Sequence, residues 1–374
     1  MIIQVDKKGN VESLQKIINV LLENRDVKGL LILSCDANGF SPEIINPVLK
    51  TISVPIIGGI FPSIIHGKEK MDNGTIVAAF NNEIQTHIIH GLSEDNIDYD
   101  EALSSKIDNI ENMKTMLVFV DGFSKRIGAF IDSLFISLGL EINYIGGGAG
   151  SLSMKQKPCL FTNEGLIEDG AVLALLNLES GVGVTHGWKS IGGPFKVTES
   201  ESNTIKTLDW RPAFDVYRES IEKHSGKTFE RDNFFEIAKA YPFGIAKIGT
   251  EMVVRDPFVL AGDNSLICVG EIPEGSFVDI LNGDDFSLVT AAKEAATFAN
   301  DSFHHRNEKE IMIFMDCISR VLFLREKFSE EIFAVYDESK PLLGACTIGE
   351  IANNGDDYLE FYNKTSVVGI VESL

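Results

Sequence analysis

Basic residues are scarce in this chain, and that scarcity excludes whole classes of function. Its 374 residues hold 33 Lys and Arg against 55 Asp and Glu, a formal net charge of −22. Nucleic-acid binding needs clustered cations to neutralise phosphates, and no dense basic run occurs. The same shortage argues against docking on an anionic membrane surface. Long apolar runs are missing as well, with nothing near the roughly 20 residues that span a bilayer. The opening Met1-Ile2-Ile3-Gln4-Val5-Asp6 has no basic segment leading into an apolar one, so no export signal is expected. Cysteine is sparse, with five residues (Cys35, Cys159, Cys268, Cys317, Cys346), far apart and without a CxxC pair. Each sits among apolar neighbours as a reduced core thiol would, and a reducing cytoplasm is the expected setting. HxxxH and HExxH spacings are also absent, which removes the usual zinc signatures.

What the chain has is enough apolar material, 44%, for sizeable cores, and an internal repeat. Ile32-Leu33-Ser34-Cys35 reads as a strand ending in a polar turn. A helical stretch follows, then Val54-Pro55-Ile56-Ile57-Gly58-Gly59, then Asn73 to Phe80. The order recurs as Met116 to Gly122, a helix, Tyr144 to Gly148, and Asp169 to Leu175. It recurs again as Ile311 to Cys317, a helix, Leu342 to Cys346, and Asn363 to Val371. A weaker fourth copy is read at Tyr241 to Gly244, Val253 to Arg255 and Ser265 to Val269. Each unit is strand, helix, strand, Gly turn, strand. The expected fold is therefore α/β, or α+β with mixed sheets.

Helices show in the 3.6-residue spacing of apolar positions. Ile127, Phe130, Ile131, Leu134 and Leu138 form one stripe, with Gly139 as its stop. Val11, Leu14, Ile18, Leu21 and Leu22 form another. Asp209 is read as an N-cap, with Pro212 in the first turn and Phe214, Tyr217 and Ile221 on one face. The polar stretch Thr198 to Asn203 reads as the passage between two domains, 1–205 and 206–374.

Several positions carry candidate chemistry. Gly146-Gly147-Gly148-Ala149-Gly150 lacks both the G-x-G-x-x-G fingerprint and a Gly-Lys-Ser/Thr loop, so it reads as backbone opened to close approach by a ligand or a neighbouring strand. His186, beside Trp188, is a ligand for haem or metal, a stacking partner, or a half-buried hydrogen-bonded residue. His304-His305 reads as a solvated turn. Cys317 ends a strand close to Arg320, which would favour a thiolate, but no motif supplies the base a nucleophile needs. Glu350 follows Gly349 after an apolar strand, placed to accept from an ammonium or from backbone amides. Equivalent strand ends should face one side of their sheets. That placement predicts a polar pocket lined by Gly146, Gly147, Gly148 and Gly349, with Cys317 at its edge. Arg320 and Arg255 would meet a ligand carboxylate there, and Glu350 its ammonium.

Taken in order, Gly146 to Gly150, Leu160-Phe161, Gly170, His186-Gly187-Trp188, Gly192, Val197-Thr198 and Leu208-Asp209-x-x-Pro212-Ala213-x-x-x-Tyr217 resemble the end of the FIST N-terminal region (F-box and intracellular signal transduction). Tyr241-Pro242-Phe243-Gly244, Val254-Arg255, Pro273-x-Gly275, Asp316 to Arg320, Gly344-x-x-Thr347-x-Gly349-Glu350 and Asn363-Lys364-Thr365 resemble the FIST C-terminal region. The likeness spans almost the whole chain. It implies a cytoplasmic sensor of a small ligand, an amino acid or similar metabolite. Its output would pass through a separate histidine kinase, diguanylate cyclase or chemoreceptor. It implies one alternative besides, a haem-based nitric-oxide sensor, for which His186, a lone His beside an aromatic, is the candidate axial ligand; the residues themselves leave a further alternative, an enzyme using Cys317 or His186. Gly58-Gly59-Ile60-Phe61-Pro62 departs from the pattern, lacking the Gly-Glu pair present at 349–350.

Overall fold

The computed structural model describes residues 1–107, 110–230, 233–246, 252–304, 309–353 and 358–373. One order of elements occurs three times. The first unit runs β1 (Ile2–Asp6), α1 (Val11–Leu22), β2 (Gly29–Cys35), α2 (Pro42–Leu49), β3 (Ile56–Phe61), a hairpin of β4 (Ser63–His66) and β5 (Glu69–Met71), and β6 (Thr75–Phe80). The second runs β7 (Ile84–His90), α3 (Tyr99–Ser104), β8 (Thr115–Asp121), α4 (Ile127–Leu138), β9 (Asn143–Ala149), a hairpin of β10 (Leu160–Thr162) and β11 (Gly165–Ile167), and β12 (Gly170–Leu176). The third opens with β13 (Ser180–Thr185) and is interrupted by β14 (Lys189–Glu201), β15 (Thr204–Leu208), β16 (Arg211–Pro212), α5 (Ala213–Ser225), α6 (Phe234–Ala238), β17 (Phe243–Ile245), β18 (Val253–Leu260), β19 (Leu266–Val269) and β20 (Phe277–Asn282). It resumes with α7 (Asp285–Ser302), β21 (Glu310–Cys317), α8 (Ile318–Leu324), α9 (Phe328–Val335), β22 (Leu342–Thr347), a hairpin of β23 (Glu350–Ala352) and β24 (Glu360–Tyr362), and β25 (Ser366–Glu372).

In each unit the central strand (β2, β8, β21) pairs in parallel with the strand after its helix (β3, β9, β22) and antiparallel with the last strand (β6, β12, β25). That last strand also pairs antiparallel with the first (β1, β7, β13). The hairpins do not complete their own units. β4–β5 joins β22 of the third unit, β10–β11 joins β3 of the first, and β23–β24 joins β9 of the second. Each unit thus lends a hairpin to another in a closed cycle, giving three six-stranded mixed sheets. The glycines at 58, 146 and 344 stand opposite Ile32, Val118 and Phe314 in the parallel pairs. A Cβ at these positions would lie 1.9, 1.7 and 1.9 Å from the carbonyl oxygens of those partners. Only glycine allows so close an approach.

Successive strand residues face opposite ways, which sorts the core. Leu117 and Phe119 of β8, with Ile311, Ile313 and Met315 of β21, pack inward with the first unit. Phe61 meets Phe119 edge-on across that shared core, with ring centroids 5.7 Å apart. Met116, Val118 and Val120 face outward onto α3 and α4, and Met312 and Phe314 face α7, α8 and α9. No helix among the described residues is long and apolar enough to cross a membrane.

The interrupting segment is a closed antiparallel barrel. Its strands run β14-β20-β17-β18-β19-β15, and β15 pairs back onto β14. The stretch Thr198 to Asn203, expected as a passage between domains, is the end of β14 and the tip of its hairpin with β15. The expected junction at 205/206 falls inside β15, and strands from either side of it share the sheet in which β13 pairs with β25. The weak fourth copy is not a repeat, because β17, β18 and β19 pair only antiparallel, with no parallel strand–helix–strand step. Asp209 is not a helix cap. It sits at φ 48° in the turn between β15 and β16, where its carboxylate accepts from the Lys196 amide at 2.9 Å, and α5 begins after Pro212. The other two helices run from Val11 to Leu22 and from Ile127 to Leu138, the latter ending at Gly139 with φ 72°.

Helix α7 lies directly on β13 because both surfaces are small. Ala295 and Ala299 face Gly183 and Gly181, and a Cβ on Gly183 would stand 2.0 Å from the Ala295 carbonyl oxygen. Gly183→Ala should therefore lift the helix and cost about 1–3 kcal/mol. Gly262→Ala, at a loop position with nothing within 4 Å, should be neutral or slightly stabilising. Denaturant melts of the two variants side by side check this, and equal midpoints would remove the close contact as a stabilising feature.

Candidate functional site

The strand-to-helix turn after β21 carries Asp316, Cys317, Ser319 and Arg320, and four other segments converge on it. Arg320 is fully buried. Its Nε donates to Glu331 at 2.9 Å, and Asp316 lies 3.2 Å from the same nitrogen. Nη1 donates to the carbonyls of His186 at 2.7 Å and Lys364 at 3.2 Å. Nη2 donates to the Leu288 carbonyl at 2.9 Å and again to Glu331. All five N–H bonds are thereby used, as a desolvated guanidinium requires. Arg320 ties α7, α9, the end of β13 and the loop before β25 together, and it has no donor left to fork onto a ligand carboxylate. Ser366 donates to both Asp316, at 2.8 Å, and Glu331, at 3.2 Å. Burial pushes Asp316 well above the usual carboxylate range, with Glu331's charge adding to it, and burial raises Glu331 too.

A second buried pair stands nearby. Lys364 Nζ lies 3.1 Å from Asp256 and donates to the Lys239 carbonyl at 2.8 Å. It rests over the Trp188 ring, 5.1 Å from the centroid, while Trp188 Nε1 donates to the Lys364 carbonyl at 3.0 Å. Ser319 donates to Asp256 at 3.1 Å. This pair joins the barrel (β18, α6) to the third unit. Glu350 is also fully buried; it accepts from Thr347 at 2.7 Å and from the Thr365 amide at 3.3 Å. Burial raises its carboxyl to about 8, against hydrogen bonds from Thr347, Thr365 and the Cys317 thiol. Cys317 is pushed far up by burial and then by Glu350, so it is a thiol, not a poised thiolate.

The two glycine segments meet each other. Gly148 N donates to Gly349 O at 2.8 Å, and Ile348 N donates to Gly148 O at 2.8 Å. A Cβ on Gly147 would lie 2.7 Å from the Gly349 oxygen, and one on Gly148 2.1 Å from the Ile348 oxygen. What approaches Gly146, Gly147 and Gly148 is therefore neighbouring backbone, and the expected pocket along them is filled by β23. His186 does not suit a haem ligand. It is buried at the end of β13, does not line the cavity that Arg255 lines, and its Nδ1 accepts from the Trp188 amide at 2.9 Å. Burial and then the Arg320 charge lower it to about 4. No group of three or more His, Cys, Asp or Glu suited to a metal occurs among the described residues. His304 is exposed, and His305 lies outside the described residues.

A cavity of about 520 Å³ opens beside this cluster. Gly122, Phe123 and Gly128 line it from the second unit, Ile245, Val253, Arg255 and Gly270 from the barrel, and Ile348, Glu360 and Phe361 from the third unit. Of the sequence-predicted site residues it is lined by Arg255 alone. Arg255 is buried; its Nε donates to the Glu271 carbonyl at 2.9 Å, and its Nη1 to the carbonyls of Val254 at 3.0 Å and Phe361 at 2.9 Å. No carboxylate lies within 4 Å of it among the described residues. Arg255 and Asp256 are consecutive on β18, so one strand carries a cavity wall and a member of the buried cluster. Sequence reading missed Lys364, Asp256 and Glu331. Glu331 had a usable signal, since it falls on the apolar face set by Phe328, Ile332 and Val335.

Residues 29–211 match the FIST N domain family, and residues 213–353 match the FIST C domain family. No curated protein matches the chain.

Two outcomes are expected of the buried cluster. Arg320→Met strands two buried carboxylates and should destabilise the fold by about 3–5 kcal/mol. Glu350 has its folded pKa raised above the ordinary value of 4.5, to about 8. Its contribution is complete below about 4.5 and is lost as pH rises through about 8. Relative to Glu350→Gln, which cannot titrate, the wild type should weaken steadily between those limits. Urea midpoints of both proteins across that range measure the difference. A pH-independent gap would show that Glu350 is ionised in the fold.

Proposed function

The chain belongs to the FIST family, whose domains are associated with signal-transduction sensing, and from that premise we propose that it binds an amino acid or similar small metabolite in the cavity beside Arg255 and passes the signal to a separate partner. The observation that carries this reading is the buried Arg255 guanidinium on the wall of an open cavity of ligand size. Pockets for small molecules typically run about 300–1,000 Å³, mostly apolar with a few fixed polar groups, and this cavity of about 520 Å³ fits that description. Glu360 and Glu271 act on Arg255 without forming an ion pair with it among the described residues; a buried cation so placed is costly unless an anion meets it directly, and a ligand carboxylate supplies one. Glu271 and Glu360 line the same space and suit an ammonium.

Transmission follows from β18. A ligand drawn onto Arg255 bears on the strand whose next residue, Asp256, is held by Lys364 and Ser319 of the third unit. The cavity walls come from all three parts of the chain that meet there, so occupancy changes how the barrel sits on the second and third units. The partner that reads this change is a histidine kinase, diguanylate cyclase or chemoreceptor, in keeping with the family resemblance.

A thermal-shift screen of amino acids and related metabolites, repeated on two variants, tests the site. Arg255→Met removes the charge and keeps the bulk, and should weaken a true ligand by about 2–5 kcal/mol. Gly128 lies in α4 with only Glu271 near its missing Cβ, at 3.4 Å. Gly128→Leu should therefore fill the cavity while favouring the helix by up to about 1 kcal/mol, raising the unliganded melting temperature and abolishing the ligand shift. A hit that shifts both variants as it shifts wild type places the ligand elsewhere.

A further inference from the structure

The cavity's shape and charge say more about its occupant than that it is small. Arg255 is held rather than free to swing. Its Nε and Nη1 are spent on three backbone carbonyls. Gly270, at φ 83°, lies against the guanidinium, where a Cβ would stand 2.9 Å from Nε and 3.2 Å from Cζ. The Nη2 group makes no hydrogen bond among the described residues. One edge of a pre-oriented fork is therefore available to a single oxyanion. Beyond that edge the walls are apolar, built from Phe123, Phe258, Phe361, Ile245, Val253 and Ile348. The volume of about 520 Å³ equals about seventeen waters at about 30 Å³ each, far more than a small aliphatic amino acid fills. The remaining charged groups limit the anion. Glu271 and Glu360 stand half-buried in the same space, and exposed Asp132 and Lys125 also line it. They would repel a second negative charge in a site of low polarity.

Resting on the reading of this cavity as the sensing site, we propose that its ligand is a monocarboxylate carrying a ring-sized or larger apolar body, with the carboxylate on Arg255 and the body against the three phenylalanines. Glu271 and Glu360 accept an ammonium on such a ligand, and the apolar body supplies most of the selectivity. Arg255 fixes orientation, and the wall decides which carboxylates are retained.

Calorimetric titration of the full chain with acetate, alanine, 3-phenylpropionate, phenylalanine and phenyl phosphate separates the contributions. Burial of the ring should make phenylpropionate or phenylalanine about tenfold to a hundredfold tighter than acetate and alanine. Phenyl phosphate, a dianion at neutral pH, should bind at least tenfold more weakly than the phenyl carboxylates. Phe258→Ala should erase most of the ring's advantage, and Arg255→Met should weaken both phenyl carboxylates. Equal binding of alanine and phenylalanine overturns the apolar-body inference, and phenyl phosphate binding as tightly as phenylpropionate overturns the single-charge inference. Failure of both phenyl carboxylates at millimolar concentration overturns the ligand class. In that case a different metabolite whose thermal shift is lost in Gly128→Leu leaves the cavity as the sensing site, whereas a shift kept in both Gly128→Leu and Arg255→Met removes the site itself.

Discussion

Unpaired strand edges govern this architecture. A four-stranded unit of the kind built by β1, β6, β2 and β3 ends in a parallel strand whose outer N–H and C=O groups have no partner within the unit. Such an edge must be paired or covered. Here it is paired by a hairpin from another unit, and the three exchanges close into a cycle. The cycle fixes the rest of the fold. It turns one face of each sheet toward a common core and leaves the other face to its own helices. It also brings the segment from Gly344 to Glu350 against Gly146 to Gly148, because β23 is the hairpin strand that completes the second unit.

Once that exchange is made, charged residues remote in sequence are forced into one dry space. Arg320, Asp316 and Glu331 lie in the third unit, Lys364 follows its hairpin, and Asp256 comes from the barrel inserted in it. Burying so many ionisable groups is unfavourable unless each is paired and hydrogen-bonded. The pairing is extensive, with every Arg320 donor engaged and Lys364 shared between Asp256 and a carbonyl. Two carboxylates share one guanidinium, and burial raises the pKa of both. The cluster acts as a joint between the barrel and the threefold core, and the cavity opens at the same joint. A site placed where bodies meet is suited to reporting occupancy as a change in their relative position.

The three strand–helix–strand units were legible because each is local. The apolar runs of β2, β8 and β21, the stripe at Ile127, Phe130, Ile131, Leu134 and Leu138, and the stop at Gly139 need only neighbours a few residues away. The readings that failed were those in which local chemistry is ambiguous. Thr198 to Asn203 is polar and looks like a linker, but a barrel strand with one wet face is polar too. Asp209 caps turns as readily as helices. The barrel strands at 243–245, 253–260 and 266–269 resembled a fourth copy because short apolar runs with a glycine do not reveal whether their neighbours run parallel or antiparallel.

By itself the sequence determined the periodicities: which stretches are helix or strand, that the pattern occurs three times, and that certain glycines must accept a close neighbour. It also placed Arg255, Arg320 and Glu350 among residues of functional interest. Only the tertiary structure decided their surroundings, because these depend on strand exchange between units far apart in the chain. That exchange buried Arg320 and Glu350 with internal partners, filled the space beside Gly146, Gly147 and Gly148 with β23, and left Arg255 facing a cavity. A charged side chain reads the same in sequence whether its counter-charge comes from within the chain or from a ligand; the three-dimensional position of the nearest carboxylate makes the difference.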